Sequence, residues 1–89
     1  MKTIHIDGAT IHNEQDLHVA FKVACDFPEH YGMNWNAFID CLSDIPELQI
    51  ELTHTEDFTT RFPGVFIALS TCVAAANRDR GSTIVFRFL

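Results

Sequence analysis

The chain has 89 residues, 47% of them hydrophobic, and a formal net charge of −6; one this short buries roughly 60–65% of its unfolded surface and cannot sustain two cores. No apolar run approaches the ~20 residues of a membrane-spanning helix, and Met1-Lys2-Thr3-Ile4-His5 lacks the apolar core of a signal peptide, so no membrane partner is expected and the expected location is the cytoplasm. The whole charge imbalance lies in residues 1–50, and no lysine or arginine occurs between Lys22 and Arg61, a distribution that repels nucleic acid and attracts basic proteins.

Thr3 to Asp7 alternate polar and apolar as a half-buried strand does, and Asp7-Gly8 ends it. Asn13 predicts a helix cap with Asp16 as an imperfect capping box, and Leu17, Ala20, Phe21 and Ala24 form the inner stripe of that helix. Pro28 rules out its simple continuation. Gly32 supplies a backbone position that tolerates positive φ, and Asn34 is expected to cap a second helix.

In that second helix Trp35, Phe38, Ile39 and Leu42 fall at i, i+3, i+4 and i+7, the spacing of an apolar stripe pressed onto a core. Asn36 and Asp40 share another side, with Ser43 and Asp44 close by, and the helix closes before Pro46. Leu48, Ile50 and Leu52 alternate with Gln49, Glu51 and Thr53 as a second one-sided strand.

Thr55, Glu56 and Asp57 suit the first turn of a short helix that ends near Phe62, where Pro63-Gly64 breaks it. A longer helix then turns Val65, Phe66, Leu69, Cys72, Val73 and Ala76 inward and ends at Gly81, after Arg78 and Arg80. Thr83 to Leu89 reads as a last strand. Strands separated by helices call for right-handed crossovers. The predicted fold is therefore α/β, a three-stranded parallel sheet in one domain over residues 1–89, with helices packed mainly on one face. Val85 and Leu89 would point outward with Arg87.

No catalytic signature emerges. Gly8, Gly32, Gly64 and Gly81 are too far apart for a phosphate loop, and neither HExxH nor GxSxG occurs. None of His5, His12, His18, His30 and His54 pairs with another at i, i+4, so neither a metal nor a cofactor is expected. Cys25, Cys41 and Cys72 read as reduced thiols at apolar helix faces. Asp40 and Asp44 are four apart, yet a solvated helix face does not raise a carboxyl pKa as acid catalysis needs. A binding protein, not an enzyme, is expected, with an acidic patch that joins the second helix to Asp26, Glu29, His30 and Tyr31 of the preceding loop.

The stretch Pro28-Glu29-x-Tyr31-Gly32-x-Asn34-x-x-Ala37-x-x-Asp40-Cys41-Leu42, preceded by Asp16-Leu17-His18-x-x-x-Lys22, resembles the barstar family of intracellular inhibitors of the ribonuclease barnase. The resemblance covers roughly residues 14 to 43. It implies a basic, secreted-type ribonuclease or related toxin as partner, and partner-binding roles for Asp40, Asn36, Asn34, His30, Tyr31, Gly32, Ile39 and Asp44. Asp40 matches the family's central aspartate, which enters the ribonuclease active site and pairs with its catalytic arginines and histidine.

The chain departs from the family at a second interface tyrosine, here His30, at an acidic interface position, here Asn36, and at a tryptophan position, here Ile39. Two acidic positions of the last long helix fall on Ala76 and Arg80 when the chains are aligned through Gly81. The alternative reading is an interaction module of the same fold that binds another basic protein; a monomer is expected in either case. An aspartate turned inward and clamped by an arginine of its own chain would defeat the inhibitor role.

Overall fold

A computed structural model describes residues 2–89. Strands β1 (Lys2–Asp7), β2 (Glu47–Thr53) and β3 (Thr83–Phe88) form a parallel sheet in the order β1-β2-β3. Helices α1 (Glu14–Cys25) and α2 (Trp35–Ser43) connect the first two strands, and α3 (Thr55–Arg61) and α4 (Pro63–Asp79) the last two. This is the expected three-stranded α/β fold.

Register explains which face the helices cover. Ile4 pairs with Ile50 and Ile50 with Phe86, while His5 pairs with Glu51 and Glu51 with Arg87. The period-2 alternation of strands thus buries Ile4, Ile6, Leu48, Ile50, Leu52 and Ile84 beneath the helices. The other face stays open. There Glu51 accepts a bond from Arg87 at 3.3 Å and lies 2.8 Å from His5 Nδ1. Val85 and Leu89 point outward, at 45% and 56% exposed. Phe88, on the inner face by parity, is also half exposed, and its ring leans on Phe66 and stacks on Phe86.

The start of α1 follows its sequence signal closely. Asn13 Oδ1 accepts the Asp16 N–H at 2.8 Å, satisfying one end donor of the helix, and Asp16 Oδ2 accepts the N–H of His12, the residue before the cap, at 3.0 Å. Pro63 behaves differently from the expectation: it is the first residue of α4, where its missing N–H costs nothing, and only Phe62 separates α3 from α4.

Arg61 does work that no local pattern announced. It bonds the carbonyls of Ile11 at 2.7 Å and Gly8 at 2.8 Å, tying the 3-10 turn Gly8–Thr10 to α3. Gly8 is needed there, since a Cβ would sit 2.8 Å from the Thr53 carbonyl oxygen and 2.9 Å from Phe58 Cβ.

Candidate partner-binding site

Two aromatic side chains hold the loop between α1 and α2 from below. Phe27 and Tyr31 are 7% and 5% exposed, with ring centroids 5.0 Å apart, and Phe27 lies 6.3 Å from Phe38. The Tyr31 N–H donates to the Pro28 carbonyl at 2.9 Å, closing a turn. Pro28, Glu29, His30 and Gly32 are left facing solvent.

Tyr31 therefore departs from its expected place in the surface patch. Its hydroxyl and His18 Nδ1 share a 2.6 Å hydrogen bond in the core. His18 is 1% exposed, its ring lies 4.6 Å from that of Trp35, and its Nε2 has no hydrogen-bond partner among the described residues. Desolvation lowers the His18 pKa and raises that of the Tyr31 phenol. Both rings are neutral at pH 7 as a result. Tyr31 positions the loop; the protein contacts its surface could make fall to its neighbours.

Gly32 does not use the positive φ that a glycine tolerates; the left-handed residue is Met33, at φ 54°. The absence of a side chain at 32 serves a close approach, because a Cβ there would lie 2.9 Å from Asn34 Nδ2, which donates to the Gly32 carbonyl at 3.2 Å. The same Asn34 caps α2 as expected, with Oδ1 accepting the Ala37 N–H at 2.9 Å. One side chain thus fixes both the loop exit and the helix start.

Along α2, Phe38 and Leu42 are fully buried, and Trp35, partly buried, donates from Nε1 to Glu14 Oε1 at 3.0 Å. Ile39 is half-buried at the edge of the core. Asn36, Asp40 and Asp44 stand on the opposite, exposed side. Asp40 points outward, its side chain 68% exposed.

An arginine of the same chain nevertheless touches it. Arg80 Nη2 donates to Asp40 Oδ1 at 3.1 Å, at the surface and not within the core. Arg80 is brought there because α4 packs on α2 and ends sharply. Gly81, at φ 75°, turns the chain so that the Ser82 N–H reaches the Ala76 carbonyl at 3.3 Å. The Asn77 amide then grips both backbone groups of Ile84, at 2.8 and 2.9 Å, which fixes the end of α4 against β3. Sequence reasoning placed Arg80 in the last turn but had no signal for its partner forty positions away.

A loop stapled by buried aromatics leads directly into a capped helix that shows carboxylates to solvent. The family described as Barstar (barnase inhibitor) matches residues 1–89. The chain belongs to the barstar family. Among curated proteins, the "Putative ribonuclease inhibitor YrdF" of Bacillus subtilis (strain 168) is 36% identical over 67 residues, which is 74% of each chain. The stretch that carries the resemblance in this barstar-family chain runs through α1, the loop after it and α2.

Proposed function

We propose that this barstar-family protein inhibits a basic ribonuclease, of the secreted type or a related toxin, by placing Asp40 where the enzyme binds a phosphate. One observation carries the reading: Asp40 projects into solvent from a helix whose other side, at Phe38 and Leu42, is 0% exposed. A carboxylate on so rigid a mount can meet a cationic site with little loss of conformational freedom on binding. Nucleases hold phosphates with Arg, Lys and His, so their sites attract anions of this kind.

Asn36 and Asp44 extend the contact along α2, and Ile39 forms its apolar edge. His30, Gly32 and Asn34 supply the loop side, and Tyr31 holds that loop in shape. The family description and the name of the relative support a ribonuclease as the target. Acidic side chains around the site would speed encounter, an effect that salt screens over about 10 Å at 0.1 M.

Titration into barnase and other small basic ribonucleases, with RNA cleavage as readout, tests the proposal. Stoichiometric loss of cleavage that Asp40→Ala abolishes is the expected result. Cleavage that persists across such enzymes at equimolar protein would overturn it.

A further inference from the structure

We propose that Arg80 is a specificity determinant of this chain: it competes, within the free protein, for the carboxylate that a partner's cations must capture. The inference rests on the reading that Asp40 is the central contact. Arg80 Nη2 lies 3.1 Å from Asp40 Oδ1, held by the packing of α4 on α2 and by the turn at Gly81. Docking onto a cationic site requires this bond to break or to be shared.

The contact is weak enough to break. Its side chains are 49% and 68% exposed, and pairs so exposed cost a partner only a few-fold in affinity to displace. The displaced guanidinium does not leave, however. It stays tethered to the end of α4, beside the partner's positive groups, and repels them. A ribonuclease whose site is cationic throughout is thereby disfavoured relative to one that offers Arg80 an anion next to the cations that take Asp40.

The same helix end supplies its own control. Arg78 is two residues away but is engaged by Asp79, through bonds of 2.9 and 3.1 Å, and does not reach Asp40. Arg78→Gln and Arg80→Gln change the net charge equally, and only Arg80→Gln uncovers the carboxylate.

Inhibition of barnase should be measured at low salt for the parent, both single variants, and both variants in an Asp40→Asn background. Arg80→Gln is expected to inhibit about 2- to 10-fold more tightly than either the parent or Arg78→Gln, with the gain smaller in the Asp40→Asn background, where only the repulsion is relieved. Gain of inhibition by Arg80→Gln where the parent has none supports the proposal equally. If the parent inhibits and Arg80→Gln is no better than Arg78→Gln, Arg80 is not a competitor and the inhibitor reading stands. If no chain inhibits, Arg80→Gln included, both fail for barnase.

Discussion

Two side-chain pairs link distant parts of this molecule, both within hydrogen-bonding distance, with opposite consequences. His18 and Tyr31 meet at 2.6 Å in the core, and Arg80 and Asp40 at 3.1 Å on the surface. In the core no water can replace a lost partner, so the pair is costly to break and serves to fix one shape of the loop. At the surface either group is rehydrated when the other leaves. That pair contributes little to folding, which leaves Asp40 available for exchange between an internal and an external cation.

The contrast can be broken from its functional side first. Asp40→Ala is expected to weaken inhibition by about 2 kcal/mol or more, at least 30-fold, because truncating a desolvated interface charge leaves the partner's charges unpaired; complexes of the barstar family are among those from which this rule was drawn. The same variant should unfold within about 1 kcal/mol of the parent in urea. A large stability loss would show the carboxylate to be structural.

Tyr31→Phe tests the buried side. It deletes the hydroxyl alone and leaves both nitrogens of His18 unsatisfied, at an expected loss of about 1–3 kcal/mol in urea unfolding. An unchanged midpoint would mean that the core bond contributes nothing.

Acid should act on the same pair. Desolvation holds the folded-state pKa of His18 below its ordinary 6.5. As pH falls through 6.5 the unfolded chain takes up a proton that the folded chain refuses, so this stability is intact above 6.5 and is lost progressively below it. Urea midpoints between pH 7.5 and 5 should fall more steeply in the parent than in His18→Gln. Parallel curves would exclude His18 as the cause.

The smallest effect is expected from Arg80→Gln. Its stability should change by less than about 1 kcal/mol, with the difference shrinking as salt is added. A salt-independent loss would place the pair in the same class as the buried one and weaken the case for exchange at Asp40.

Much of the frame was legible from short-range spacing. Asn13 and Asn34 announce helix starts because a cap acts on an N–H only three residues on, and both make that bond. Leu48, Ile50 and Leu52 announce a one-sided strand because alternate residues of a strand face opposite ways. Gly32 shows where such reasoning slips: a glycine signals an unusual local demand, yet whether that demand is positive φ or close approach depends on where the Asn34 amide lies.

By itself the sequence determined the four α-helices and three strands, the one-sided burial of the sheet and the polar side of α2 that carries Asp40, since each follows from periodicities of two or 3.6 residues that a short segment enforces on its own. Only the tertiary structure decided that Tyr31 turns inward to His18, that Arg61 clasps the carbonyls of Gly8 and Ile11, and that Arg80 lies on Asp40. Those contacts join residues 13 to 53 positions apart, and no local preference can specify a neighbour that arrives only when helices and sheet are packed together.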